Sequence, residues 1–184
     1  MNLYADEGAG IYLRKLRWED TGRIVAWRNQ DTVRRNFIFQ ELFTQESHAA
    51  WIRTMIDTGK AVQMIICETS SDVGLGSVYL RDIDLWHRKA EYGIFIGEAR
   101  ARGRGIGTAA AKLMQEYGWR EQELHKIYLR VLAENVRAIR SYEKAGFRRE
   151  GYLKEEVRID GNYRDLVWMA AWNPHEKGQT GQNP

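Results

Sequence analysis

Stretches in which apolar residues recur at every second position alternate along the chain with stretches in which they recur every third or fourth, and the two periods divide it into elements. Ile11 to Leu16 reads as a first strand. A helix from about Glu19 to Asn29 follows, with Ile24, Trp27 and Arg28 on neighbouring turns. The next helix starts at Thr44, a residue suited to an N-cap, brings Trp51, Ile52, Met55 and Ile56 to one face and stops at Gly59. Ala61 to Glu68, Leu75 to Asp84 and Lys89 to Ile96 are extended runs with short polar connections, which predicts an antiparallel meander.

After Gly97 the period lengthens again. An Arg/Gly-rich segment opens into a helix over Thr108 to Glu121, where Ala110, Leu113, Met114 and Tyr117 share a face. Lys126 to Leu132 alternates as a strand, and Asn135 caps a helix that ends at Ala145-Gly146. Phe147 to Leu153, Glu155 to Ile159 and Tyr163 to Trp172 are extended, the last two joined by the hairpin turn Asp160-Gly161-Asn162. One domain over residues 1–172 and a frayed polar tail from Asn173 to Pro184 are expected.

Composition narrows the class. The 184 residues are 43% hydrophobic with two prolines, enough apolar surface for a sizeable core. Lys and Arg number 28 and Asp and Glu 25, so the net charge of +3 is a small surplus rather than a basic stripe, and no nucleic-acid partner is expected. The lone cysteine, Cys67, sits in the apolar run Met64 to Cys67 and reads as a buried small hydrophobe. No apolar stretch approaches the roughly 20 residues that span a bilayer, and the start Met1 to Glu7 does not read as a signal peptide. No membrane partner and a cytoplasmic location are therefore expected.

The chemistry concentrates at Arg102-Gly103-Arg104-Gly105-Ile106-Gly107, between a strand and a helix. Glycines there let backbone N–H groups approach a phosphate, and the start of a helix favours negative charge. Arg102 and Arg104 add formal positive charge, although three glycines also suit a plain tight turn. Gly105, Gly107 and Ala110 fit the dinucleotide pattern G-x-G-x-x-A, but the turn follows a meander, and the acidic residue expected about 20 positions on is replaced by His125 and Lys126. No Gly-Lys-Ser/Thr triplet supports a P-loop.

Arg102-x-x-Gly105-x-Gly107 resembles the acyl-coenzyme-A pyrophosphate motif of the GNAT superfamily of N-acetyltransferases. Asn135 to Phe147, with Tyr142 shortly before Gly146-Phe147, is similar to that superfamily's later motif, and the likeness runs from about Ile11 to Ala171. His125 to Leu129 and Arg88 to Tyr92 resemble segments of spermidine/spermine N-acetyltransferases; Trp27-Arg28-Asn29, Val33-Arg34 and His48 resemble N-acetyltransferases of nucleotide-linked amino sugars. The resemblance implies an α/β fold, a mixed and mostly antiparallel sheet flanked by helices, whose strands Lys89 to Ile96 and Lys126 to Leu132 splay apart.

It also implies acetyl-CoA as co-substrate, acetyl transfer to a primary amine by direct attack on the thioester, and a set of site residues. Arg102, Gly103, Arg104, Gly105, Ile106, Gly107 and Thr108, with Asn135, Arg137 and Ala138, would bind the nucleotide end. Backbone groups of Ile94, Phe95 and Ile96 would hold the pantetheine arm and polarise the carbonyl. Tyr142 would protonate the thiolate, and Glu91 would accept the amine proton or bind the ammonium. His48, His87 and His125 are further candidates for that work, and no cluster has metal-ligand spacing.

Between the first two helices, Phe37, Phe39 and Phe43 outnumber Glu41 and Glu46. That wall, with Phe37, Phe39 and Glu41 as contacts, suits a sugar ring better than a flexible polycation. The partner expected is thus a small-molecule amine, an amino sugar ahead of a polyamine, with a homodimer or larger homo-oligomer also possible for such an enzyme. The alternatives are acetylation of a protein N-terminus and an acyl-CoA sensor without turnover.

Overall fold

The run Met64-Ile65-Ile66-Cys67 is apolar without alternation because both faces of its strand are covered. Met64 and Ile66 join one core with Ile11, Val78 and Leu80, while Ile65 and Cys67 join another with Tyr12, Ile24 and Trp27. The computed structural model describes residues 4–176 and builds these cores on the two sides of an eight-stranded sheet. The strands are β1 (Ala5–Asp6), β2 (Ile11–Lys15), β3 (Val62–Glu68), β4 (Gly74–Asp84), β5 (Lys89–Ile96), β6 (Lys126–Leu132), β7 (Arg148–Ile159) and β8 (Asn162–Trp172). Their order is β1-β2-β3-β4-β5-β6-β8-β7.

Every neighbouring pair is antiparallel except β5 and β6, and this exception makes the site. These two strands pair only from Lys89–Glu91 against Lys126–Tyr128 and then diverge, as the resemblance implied. The edge of β5 that faces β6 is therefore free of sheet pairing from Tyr92 to Ile96.

Helix α4 (Ile106–Glu121) covers one face with Ala110, Met114 and Tyr117, and α5 (Val136–Lys144) packs beside it through Ile139. The other face carries α1 (Thr21–Arg28), the short α2 (Asp31–Arg34) and α3 (Gln45–Trp51), which continues into a π-helical turn at Ile52–Ile56. Thr44 is the N-cap expected of it, accepting the Ser47 N–H at 3.1 Å.

Strand β1 and helix α2 are absent from the periodicity because each is too short to complete a repeat. The two runs expected over 147–159 form one strand, with register shifts between Arg149 and Gly151 and between Leu153 and Val157. Asn173 does not begin a frayed tail: its N–H donates to the His125 carbonyl at 2.9 Å and its Nδ2 to the Leu124 carbonyl at 3.1 Å. Residues 177–184 of that expected tail, and residues 1–3, lie outside the described residues.

Candidate active site

Where β5 leaves β6, a cleft of about 960 Å³ opens between α1, the segment after α2, the glycine turn and α5. Tyr142, Glu91, Ile94, Phe95, Ile96, Gly103, Gly105, Ile106, Gly107, Thr108, Asn135, Arg137, Ala138, Phe37 and Phe39 all line it, as does Arg102. Arg104 and Glu41 do not. Arg104 is exposed and directed toward Glu68, 4.0 Å away, and Glu41 is exposed in the loop before α3.

At one end, Gly105 takes the left-handed conformation (φ 79°) and no side chain caps α4. A Cβ on Gly105 would meet no heavy atom within 4 Å, and the nearest to one on Gly103 is Arg137 Nη2 at 3.7 Å. Open space in front of uncapped N–H groups, beside an arginine, fits a diphosphate. The Arg102 side chain keeps its positive charge at the cleft and is also engaged within the protein. Its guanidinium donates to the Ile96 and Gly97 carbonyls at 3.2 and 3.1 Å, to Gln30 Oε1 at 3.0 Å and to Thr32 Oγ1 at 2.9 Å. Arg102 thus ties the segment after α1 to the turn, and it takes one lone pair of the Ile96 carbonyl.

Asn135 caps α5 by accepting the Ala138 N–H at 3.2 Å, and Tyr142 lies two turns on. The Tyr142 ring meets Tyr92 and Phe147 edge-on at 6.1 and 5.9 Å, and its oxygen has no protein hydrogen-bond partner among the described residues. Burial raises its pKa above the ordinary 10.0, and Tyr79 adds to the effect, so the phenol keeps its proton at neutral pH.

Glu91 lines the same cleft. It is 6% exposed and held between two arginines. Arg81, its cross-strand partner on β4, donates to Oε2 through Nη2 and Nε at 2.8 and 3.2 Å; Arg130 on β6 donates to Oε1 and Oε2 at 3.0 and 3.1 Å. Burial is the strongest influence on the Arg81 pKa and lowers it, but the Glu91 charge and hydrogen bond, with Tyr79 and Asp82, together turn the net shift upward. Oε2 accepts three hydrogen bonds and Oε1 one, so Oε1 keeps the lone pair an amine could use.

Several lining residues escaped the sequence reading. Tyr79 lies over Gly93, its cross-strand partner: a Cβ there would sit 2.2 Å from the ring. A glycine in mid-strand marks such a close approach and could have revealed it. Arg28 at the end of α1 is 3% exposed, with its guanidinium carbon 3.5 Å from the Phe37 ring centre. Of the histidines, His48 lines the cleft, buried, with Nδ1 3.2 Å from Thr21 Oγ1; burial lowers its pKa and keeps it neutral. His87 is exposed at the β4–β5 turn, and His125 pairs with Glu176 at 2.6 Å, both outside the cleft.

Among the described residues no group of three His, Cys, Asp or Glu could hold a metal ion, and no helix is long and apolar enough to cross a membrane.

Comparison with known proteins supplies a context for this geometry. A family model described as an acetyltransferase (GNAT) domain matches residues 11–148. Spermidine N(1)-acetyltransferase of Escherichia coli (strain K12) is 44% identical over 94 residues, which cover 51% of this chain and 50% of that protein. The chain thus spans about half the length of the curated relative it matches. The crystal structure of spermidine N-acetyltransferase from Vibrio cholerae in complex with CoA and spermine superposes with a TM-score of 0.83 at 27% identity, covering 90% of this chain and 96% of that one. A dodecameric structure of the Vibrio cholerae enzyme gives a TM-score of 0.75 at 27% identity, with coverage of 90% and 95%.

Proposed function

Since the chain belongs to the GNAT acetyltransferase family, we propose that it transfers the acetyl group of acetyl-CoA to the primary amine of a small molecule. The observation that carries this reading is the opening between β5 and β6, which sets an uncapped glycine turn, a free strand edge and a half-buried protonated tyrosine around one cleft. Acetyl-CoA would supply an acyl group already activated as a thioester.

The residues divide the work by position. Backbone N–H groups of Gly105, Ile106, Gly107 and Thr108, with Arg137 beside them, would hold the diphosphate. The free edge of β5 at Ile94 and Phe95 would hold the amide-bearing arm and orient the carbonyl for direct attack by the amine. Tyr142 would donate its proton to the departing sulfur. Glu91 fixes Arg81 and Arg130 and offers Oε1 to the amine. The acceptors named for the relatives support a polyamine, and Trp27-Arg28-Asn29 with the phenylalanine wall supports an amino sugar. A homo-oligomer belongs to the reading as well, supported by the dodecameric relative and by Trp86, which is 89% exposed.

The test is ligand-dependent melting. Acetyl-CoA at 100 times its Kd should add about 2.7 kcal/mol to stability, a rise of roughly 5–10 °C for a chain of this size; NAD and ATP should do much less. Gly105→Asp places a carboxylate where the phosphates would lie and should abolish the rise. An undiminished rise in that variant refutes the glycine-turn assignment.

A further inference from the structure

The acceptor end of the cleft carries a cation with unmet bonding capacity. Arg28 is 3% exposed and forms no ion pair among the described residues. Its Nη2 donates to the Phe39 carbonyl at 2.7 Å, and its guanidinium carbon lies 3.5 Å from the Phe37 ring centre and 4.8 Å from that of Phe43. Its Nη1 is buried with no hydrogen-bond partner among the described residues, and the residue lines the cleft. Burial lowers its pKa to about 10, which leaves it charged at neutral pH. A buried charged donor without a partner is costly and rare in a finished fold. The aromatic faces offset part of that cost, and Nη1 remains free for something the protein does not supply.

The charge around it indicates what that is. Seven arginines and one lysine line the cleft, against one carboxylate, Glu91, whose charge is already shared between Arg81 and Arg130. The phosphates of a bound nucleotide would occupy the arginines near the glycine turn. Arg28 instead faces the segment Phe37 to Phe43. A substrate with several positive charges and no negative one meets repulsion there, whereas an anionic group meets an unpaired guanidinium.

Resting on the acetyl-transfer reading above, we infer that Arg28 is the anion-binding group of the acceptor subsite, and that the amine acetylated here carries a carboxylate or a phosphate ester. The guanidinium offers the directed N–H groups that both anions accept. Phe37, half-buried against Phe95 at 6.1 Å, supplies the apolar wall for the body of the molecule.

Matched amines that differ by one anionic group test this: L-lysine against cadaverine, and glucosamine 6-phosphate against glucosamine, with spermidine as a further arm. A charge-assisted hydrogen bond corresponds to a preference of about 10- to 100-fold in kcat/KM for the anionic member of at least one pair. The pair that responds distinguishes carboxylate from phosphate. Arg28→Gln should bring that ratio close to one, and Arg28→Lys should retain part of it, so the readout is a ratio rather than a rate. A spermidine value above both anionic amines, or no preference within either pair, overturns the inference. So does a preference that Arg28→Gln leaves intact, and so does a loss shared equally by both members, which marks Arg28 as a staple for the loop. If no amine is acetylated, the acetyl-transfer reading fails; calorimetric affinities of the same pairs for the CoA-loaded wild-type protein then decide this inference alone by the same ratio.

Discussion

Replacing Tyr142 by Phe separates packing from proton delivery, because the structure gives the ring and the hydroxyl different work. The ring makes edge-on contacts with Tyr92 at 6.1 Å and Phe147 at 5.9 Å, and phenylalanine keeps both. The hydroxyl has no protein partner to lose among the described residues, so stability should change by less than about 1 kcal/mol, and the acetyl-CoA melting shift should persist. Turnover should fall on the order of 100-fold, the lower end of general-acid effects, equivalent to about 2.7 kcal/mol of activation free energy. The assay is release of the CoA thiol at saturating acetyl-CoA and amine. Its pH profile gives a second reading. Burial raises the Tyr142 pKa above 10.0, so the acid form is favoured over the whole neutral range, and wild-type turnover should show no loss from this group as pH rises from about 8 to about 10. Unaltered turnover in Tyr142→Phe, or a loss matched by weaker acetyl-CoA binding, refutes the assignment.

Two further expectations test the frame around the site. Gly97→Ala would put a Cβ 2.1–2.3 Å from the Trp27 indole, whose Nε1 donates to Glu98 at 2.8 Å; overpacking of roughly 1–3 kcal/mol should appear as a lower urea midpoint with an unchanged slope. Asp20 is raised by burial but held below 3.8 overall by Arg14, at 2.7 Å, and by the Arg17 N–H. Its contribution is therefore present above about pH 4 and lost as pH falls below it. Asp20→Asn should cost about 1–3 kcal/mol at neutral pH and flatten the acid limb of a stability–pH curve; an unchanged limb means another carboxylate sets it.

Legibility in the sequence followed the range of the interactions. Thr44, Asn135 and the Asp160-Gly161 turn act on backbone groups a few residues away, so their local patterns sufficed to place them. Strands β3 to β6 were legible from apolar periodicity, and the glycine turn from its place between a strand and α4. The wall of the cleft was not. Arg81 meets Glu91 through antiparallel register, Arg130 reaches the same carboxylate from β6 beyond its last pairing with β5, and Tyr79 needs the space over Gly93. Each is a long-range juxtaposition that leaves no periodic trace. Arg28 was placed on a helical turn beside Ile24 and Trp27, but its burial against two phenylalanines had no local signal. Arg102 was legible from its motif position, but the four protein acceptors of its side chain were not.

The most direct test of acetyl transfer to a small amine couples two readouts in one reaction. The protein is mixed with acetyl-CoA and a panel of polyamines, amino sugars, amino acids and a short peptide, while free CoA thiol and the mass of each acceptor are followed together. The account predicts thiol release that depends on a small primary amine and matches, mole for mole, the appearance of its monoacetylated product. Acetyl-CoA binding without amine-dependent thiol release, or acetylation confined to the peptide N-terminus, would contradict it.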